Sequence, residues 1–179
     1  MIIGITGPIC AGKNCVSKIL ETEYNYQPQS FGKEVRVEAN ARSIETTREN
    51  LQNLGAKLKD EFGKDYWSKR IVSRIAREEN YVIDGFRSTD EISQFKSFDN
   101  FVLLGVSASF ETRFKRYLKR ARPGDVLTLE GFRKADAIDR GESNLTGSES
   151  DLVYKSIDYE ISNERDIGSL SFKMEAFMD

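Results

Sequence analysis

The chain has 179 residues, of which 39% are hydrophobic and 31% are charged, a balance typical of one globular domain with a sizeable core. Its 29 acidic residues slightly outnumber its 27 basic ones, and the net charge of −2 disfavours a protein that binds nucleic acid through its overall field. No apolar run approaches the roughly 20 residues needed to span a bilayer, and the first strand pattern begins at Met1, so we expect neither a membrane partner nor a signal peptide.

The N-terminal stretch combines a strand pattern, a glycine-rich loop and a helix pattern. The apolar run 1–6 predicts a buried strand, and Val16, Ile19 and Leu20 follow at helical spacing. Between them, Gly7-Pro8-Ile9-Cys10-Ala11-Gly12-Lys13-Asn14 fits the phosphate-loop pattern G-x-x-x-x-G-K-[ST] except at its last position. Such a loop can wrap an anion, because glycines allow a close approach and successive N–H groups point at phosphate oxygens. A glycine-rich turn that only joins a strand to a helix is the alternative.

The loop pattern predicts a binding site for the phosphates of ATP. Its predicted binding residues are Gly7, Ala11, Gly12, Lys13, Asn14 and Cys15. Lys13 would supply a positive charge to the β- and γ-phosphates. Asn14 stands where the pattern has a hydroxyl that ligates Mg²⁺, and Cys15 supplies no hydroxyl either. Asn14 is therefore only a weak candidate for a metal ligand.

Both cysteines, Cys10 and Cys15, lie in or beside this loop. Their shared location argues against a stabilising disulfide and predicts a reducing, cytoplasmic compartment. We expect two small buried residues, with a redox switch as the alternative. The chain contains no histidine, which excludes histidine bases and histidine metal ligands.

The rest of the chain alternates between strand and helix patterns. We expect further strands at 29–31, 81–83, 101–106 and 159–162. We expect further helices at 34–42, 46–62, 66–79, 90–98, 110–121, 129–140 and 167–177, with a turn at 122–125 and a polar loop at 141–150. This alternation predicts a three-layer α/β/α fold with a five-stranded parallel sheet.

The predicted domain organisation is a single domain over 1–179 with two additions. Three helices between the second and third strands are more than a crossover requires, and they predict a helical insertion at about 33–79. A short lid is expected at about 120–142.

A polar stretch follows the third predicted strand. Asp84-Gly85-Phe86-Arg87 places a carboxylate and a guanidinium just past the carboxyl end of that strand, where open α/β sheets bind ligands. The alternative is a surface turn with an ordinary charge pair, since Asp-Gly turns are common.

The predicted helix at 110–121 is dense in basic residues. These are Arg113, Lys115, Arg116, Lys119 and Arg120, with Arg122 just beyond. Arg116 and Arg120 share one helix face. So many cations repel one another unless an anion joins them, which predicts a phosphate site and a segment that is mobile without ligand. A solvated charged face is the alternative.

Three motifs in this order and spacing, GPICAGKN, VIDGFR and RYLKRARPGD, resemble those of the P-loop nucleoside and deoxynucleoside monophosphate kinases of the adenylate kinase type. The resemblance covers nearly the whole chain. It implies ATP and Mg²⁺ as cofactors, a nucleoside or deoxynucleoside monophosphate as the acceptor, and the helical insertion as the acceptor-binding region. The segment 51–67 is more similar to deoxynucleotide kinases and archaeal-type relatives, so base and sugar stay open. Monomer and homodimer stay open as well.

The resemblance also implies roles for individual residues on the acceptor side. Arg87 would hold the α-phosphate of the acceptor, with Arg36 as a second contact to that phosphate. Asp84 would act near Mg²⁺ through water.

On the ATP side, the resemblance implies three more roles. Arg116 would stack on adenine where the lid begins, Arg120 would reach the transferred phosphate, and Asn163 would lie in the loop beside the base. The implied catalytic residues are Lys13, Arg87, Arg116 and Arg120.

Dephospho-CoA kinase is the nearest alternative, because its N-terminal motif looks much like this one. Phosphorylating a hydroxyl calls for a general base, which that family carries as an aspartate just after the second strand. This chain has Ser30-Phe31-Gly32-Lys33 there. A phosphate acceptor is already anionic and needs no base, so we expect phosphorylation of a (deoxy)nucleoside monophosphate to the diphosphate. A catalytically degenerate nucleotide-binding protein, suggested by Asn14 and Cys15, is the alternative from another class.

Overall fold

The protein is described by a computed structural model over residues 1–76, 78–141 and 149–179, with Arg48 described by its backbone. Within these residues the strands form one sheet in which every pair is parallel. The strands are β1 (Ile2–Thr6), β2 (Gln27–Ser30), β3 (Tyr81–Asp84), β4 (Phe101–Ser107) and β5 (Tyr159–Ser162), in the order β2-β3-β1-β4-β5. The predicted five-stranded parallel sheet is thus confirmed.

Helices cover both faces of the sheet. They are α1 (Lys13–Glu23), α2 (Phe31–Ala41), α3 (Arg48–Phe62), α4 (Tyr66–Val72), α5 (Thr89–Phe95), α6 (Phe110–Arg120), α7 (Leu129–Arg140), α8 (Ser150–Tyr154) and α9 (Ile167–Met178). No described helix combines the length and the hydrophobicity that crossing a lipid bilayer requires. The sequence did not predict α8, because five residues are too few to show a helical period. Most of the predicted loop at 141–150 lies at 142–148, outside the described residues.

Several predicted boundaries in the first half of the chain are wrong, among them the start of the second strand, which is Gln27, and the start of the helix predicted at 34–42, which is Phe31. The second strand ends at Ser30, because the Ser30 hydroxyl accepts the N–H of Lys33 at 3.1 Å and starts α2 one residue later. The helix predicted at 66–79 ends at Val72. The N–H of Arg74 bonds to the carbonyl of Ile71 at 3.0 Å, a three-residue spacing that tightens the chain and ends the helix.

The hydrophobic core forms two layers, one on each face of the sheet. Successive residues of a strand point to opposite faces, so Ile2 packs in one layer and Ile3 in the other. The first layer contains the inward residues of α2, α3, α4, α5 and α8, and the second those of α1 and α9. Every residue of β1 is buried, as expected for the central strand of a parallel sheet. Because the helices pack on the two faces of the sheet, its carboxyl edge is covered by the loops that follow the strands.

Candidate active site

The loop 7–12 joins the end of β1 to the start of α1, in the middle of the carboxyl edge of the sheet. Close approaches require two of its glycines. A Cβ on Gly7 would lie 2.1 Å from the carbonyl oxygen of Val106, and one on Gly12 would lie 2.0 Å from Nδ2 of Asn163. Gly12 also has a φ of 106°, in the left-handed region that favours glycine.

The first turn of α1 is suited to an anion. Among the described residues no side chain caps its N–H groups, whereas α2 is capped by Ser30 and α3 by Thr47. The first turn of a helix carries unsatisfied N–H groups and a partial positive charge. The loop and helix together have the geometry that binds phosphate in phosphate-loop proteins.

Lys13, the first residue of α1, bonds to the loop itself. Its Nζ donates to the carbonyl oxygens of Gly7 at 2.5 Å and Pro8 at 3.1 Å. Both partners are neutral, and a phosphate oxygen would be a stronger acceptor for the ammonium. The structure holds this charge at the loop.

Asp84 ends β3, which is paired with β1, and the charge of Lys13 acts on its carboxylate. Burial raises the pKa of Asp84 above its ordinary value. Lys13, the N–H of Gly85 and Arg87 oppose that rise, and Asp139 on α7 adds to it. Oδ1 of Asp84 is buried and has no hydrogen-bond partner within the described part of the chain. An orphaned carboxylate oxygen beside the loop lysine fits a hydrated metal ion, because carboxylates are the usual protein ligands of Mg²⁺.

The two cysteines are free thiols, but the expectation that both are buried is wrong. Cys15 is exposed, because the inward face of α1 is formed by Val16, Ile19 and Leu20. Cys10 is half-buried, and burial raises the pKa of its thiol. Asn14 is exposed in the first turn of α1, and its role toward Mg²⁺ stays a prediction.

The two arginines predicted to hold the acceptor are both exposed. The backbone N–H of Arg87 donates to Oε2 of Glu91 at 2.7 Å, which fixes the backbone and leaves the guanidinium accessible. Arg36 lies on α2, and its Nη1 donates to the carbonyl of Gly32 at 3.2 Å. No direct contact joins the two arginines in the described ranges, and their roles stay predictions.

The basic helix α6 differs from the prediction at its first arginine. Arg113 is buried and forms a two-pronged ion pair with Asp136 of α7, in which Nη2 and Oδ2 are 3.1 Å apart and Nη1 contacts Oδ1. Nη1 also donates to the carbonyl of Ile9 in the phosphate loop at 3.3 Å. The predicted helix of unneutralised cations is therefore wrong here. Nothing in the sequence signals that Asp136 faces Arg113.

Arg116 and Asn163 both contact the phosphate loop. Nη1 of Arg116 donates to the carbonyl of Ala11 at 3.1 Å, and Nδ2 of Asn163 donates to the same carbonyl at 2.8 Å. Nη2 of Arg116 also donates to Oδ1 of Asn163 at 3.3 Å. The structure brings together these two residues, which are 47 positions apart. Their contact with the adenine base stays a prediction.

Arg120, at the end of α6, is ion-paired as well. Its Nη2 lies 3.0 Å from Oδ2 of Asp125, and its guanidinium lies over the ring of Tyr117. The same carboxylate oxygen accepts the N–H of Arg122 at 3.2 Å. The pairing of Asp125 with Arg120 was not predicted, although the place of Asp125 in the turn directly after the basic run could have indicated it. Asp125 and Asp136 offset the repulsion that was expected within α6.

Comparisons with known proteins agree with this geometry. Residues 6–133 match the profile of a family described as an AAA domain. The UPF0200 protein of Hyperthermus butylicus is 37% identical over 143 residues, which cover 79% of this chain and 76% of that protein. The UPF0200 protein of Methanocaldococcus jannaschii is 35% identical over 147 residues, which cover 80% and 74% respectively.

Solved structures of kinases share the fold. The shikimate kinase of Aquifex aeolicus superposes with a TM-score of 0.57 at 15% identity, covering 99% of this chain and 96% of that chain. The shikimate kinase of Acinetobacter baumannii, in complex with shikimate, gives a TM-score of 0.62 at 12% identity, covering 99% and 92%. Similarity at such low sequence identity shows a common fold and gives no information about the substrate of this chain. The chain therefore belongs to the UPF0200 family, with an AAA domain over most of its length and the fold of the P-loop kinases.

Proposed function

We propose that the protein transfers the γ-phosphoryl group of ATP to a nucleoside or deoxynucleoside monophosphate, giving two diphosphates. The grouping at the carboxyl edge of the sheet carries this proposal. Lys13 begins α1 directly after the phosphate loop that follows β1, and the orphaned carboxylate of Asp84 ends the neighbouring strand β3. The exposed Arg87 follows Asp84 by three residues. Phosphoryl transfer between anions needs such positioning and charge neutralisation.

On the donor side, the loop amides, the first turn of α1 and Lys13 would bind the β- and γ-phosphates. Asp84, through water, and Asn14 are the residues that would hold Mg²⁺, which when bound neutralises charge on the phosphates. Arg116 already contacts the loop, and Arg120 is one helical turn further along α6. These two arginines would close over the transferring group and exclude water, which would otherwise hydrolyse ATP.

On the acceptor side, Arg87 and Arg36 would bind the phosphate of the monophosphate. Its oxygens are already ionised, so no general base is required. A hydroxyl acceptor, as in dephospho-CoA kinase or in a shikimate kinase, is the alternative. The stretch 30–33, where a base would be expected at the end of β2, contains no carboxylate, and the Ser30 hydroxyl is engaged as the cap of α2. This observation supports the phosphate acceptor.

The test is an ADP-release assay with ATP and Mg²⁺ across the common ribo- and deoxyribonucleoside monophosphates, with dephospho-CoA and shikimate included. We expect turnover with one or a few monophosphates, and loss of that turnover in Lys13→Met. Lys18→Met is the matched control, because Lys18 lies on the same helix, is exposed and pairs only with the exposed Glu21 in the described part of the chain. Its turnover should stay near that of the wild type.

Three outcomes would contradict the proposal. Turnover confined to dephospho-CoA or shikimate would assign a hydroxyl acceptor. Binding of ATP without turnover on any acceptor would support the degenerate nucleotide-binding protein. Near wild-type turnover in Lys13→Met would remove the phosphate-loop assignment itself.

A further inference from the structure

A buried glutamate connects the helical insertion to the loop that carries Arg87. Glu91, in the first turn of α5, is 2% exposed. Its Oε2 accepts the backbone N–H of Arg87 at 2.7 Å and that of Ser88 at 3.3 Å. Its Oε1 accepts Nζ of Lys59, on α3, at 2.5 Å. One carboxylate thus joins α3 to the two residues that follow the Asp-Gly-Phe turn.

Helix capping alone accounts for only part of this arrangement. Glu91 makes the half of a capping box in which the glutamate accepts the N–H of the cap residue, here Ser88. A capping box is usually a surface feature and needs neither the N–H of Arg87 nor a lysine from a helix 32 positions earlier. A buried carboxylate is costly unless a cation and hydrogen bonds compensate it, and Lys59 provides that cation. The ion pair therefore makes the position of this loop depend on α3.

A second polar contact docks α5 on the insertion but does not reach Arg87. Nε2 of Gln94 donates to Oδ2 of Asp65 at 3.1 Å, one helical turn beyond Glu91. Lys64, which is more exposed than Lys59, has its Nζ 3.8 Å from Oδ2 of Asp90 on α5. Among these contacts, the Lys59–Glu91 pair is the one that bonds directly to the Arg87 backbone.

We propose that Glu91 and Lys59 are positioning residues that set the reach of Arg87 toward the acceptor phosphate. This inference rests on the proposed function, in which Arg87 holds that phosphate. The Arg87 guanidinium is exposed, so its reach depends on where its backbone is fixed. A displacement of α3 on acceptor binding would pass through the Lys59 ammonium and the Glu91 carboxylate to the Arg87 backbone. Neither residue touches the reacting atoms.

The kinetic test compares Lys59→Met, Lys59→Arg and Glu91→Gln with the wild type. Lys59→Met and Glu91→Gln should raise KM for the acceptor about tenfold, the scale of one charge-assisted hydrogen bond, with kcat and KM for ATP nearly unchanged. Lys59→Arg keeps the cation and should restore acceptor KM. Lys64→Met is the matched control, because it removes an exposed lysine from the same region of the insertion, and its acceptor KM should match that of the wild type.

A second readout separates this inference from the proposed function. Amide hydrogen exchange over 84–90 should be faster in Lys59→Met than in the wild type, while exchange in β1 is unchanged. Unchanged acceptor KM in Lys59→Met overturns the inference, and so does an equal rise of KM for both substrates. If the wild type transfers phosphate to no monophosphate, the proposed function fails. In that event unchanged exchange over 84–90 in Lys59→Met overturns the inference, and faster exchange supports it.

Discussion

The buried ion pair between Arg113 and Asp136 allows a quantitative prediction for Asp136→Ala. Both residues are almost fully buried, at 3% and 5% exposure. Within the described residues, the substitution leaves the guanidinium with two neutral hydrogen-bond partners, the carbonyls of Ala108 at 3.2 Å and Ile9 at 3.3 Å. The charge of Arg113 would then be buried without the carboxylate that pairs with it in the described part of the chain, and an arginine cannot lose its proton in a protein.

Removing one partner of a buried pair typically costs about 3–5 kcal/mol of unfolding free energy. In a domain of this size each kcal/mol lowers Tm by about 2–4 °C, so Asp136→Ala should lower Tm by roughly 6–20 °C. Asp136 also accepts a bond from Arg140 at 3.2 Å, but that partner is partly exposed and adds little.

Thermal unfolding followed by circular dichroism measures this effect. Glu21→Ala is the control, because it breaks an exposed pair with Lys18 that is worth at most about 1 kcal/mol. The double variant Arg113→Met/Asp136→Leu should recover most of the lost stability, since apolar replacement of a buried pair is often neutral. If Asp136→Ala lowers Tm no more than Glu21→Ala does, the buried pair does not stabilise the fold as argued.

Three further predictions concern catalysis and pH. In steady-state kinetics, Arg120→Ala should lower kcat far more than it raises the acceptor KM, and Arg87→Ala should mainly raise the acceptor KM. Wild-type kinetics for Arg120→Ala would make the lid assignment wrong. Asn14→Thr should keep or raise turnover, because a hydroxyl is the usual Mg²⁺ ligand there, and a dead variant would contradict this. A hydrogen bond from Arg42 holds the pKa of Glu38 below its ordinary value, so its stabilisation is present at neutral pH and lost in acid. Glu38→Gln should therefore be less stable near pH 7, with a difference that shrinks as the pH falls; a constant difference would refute this.

The sheet and the phosphate loop could be predicted because their signals are local. The apolar runs of β1 and β4 are long enough to indicate buried strands, and the loop motif lies between β1 and α1 in one continuous stretch. The edge strand β2 was placed two residues late. Its sequence, Gln-Pro-Gln-Ser, shows no apolar alternation, and proline is tolerated there because an edge strand lacks one neighbour.

The ion pairs that organise the candidate site could not be predicted, because they join distant positions. Asp136 is 23 positions from Arg113, and Glu91 is 32 positions from Lys59. A charged residue on an amphipathic helix is usually solvated, so sequence alone gives no reason to bury Glu91 or Asp136. Only the packing of α6 on α7, and of α3 near α5, decides which carboxylate meets which cation.

The contacts of α6 change how the lid is expected to close. Arg113 is fixed in a buried pair, whereas Arg120 is partly exposed and shares Asp125 with the N–H of Arg122. If Arg120 moves to a phosphate, Asp125 keeps that backbone bond, so the exchange leaves no carboxylate wholly without a partner. In the proposed reaction, the lid therefore closes when Arg120 exchanges its partner Asp125 for a phosphate. Closure does not depend on relieving repulsion among unpaired cations of α6. The part of α6 near Arg113 would then stay fixed by its buried ion pair while the end near Arg120 moves.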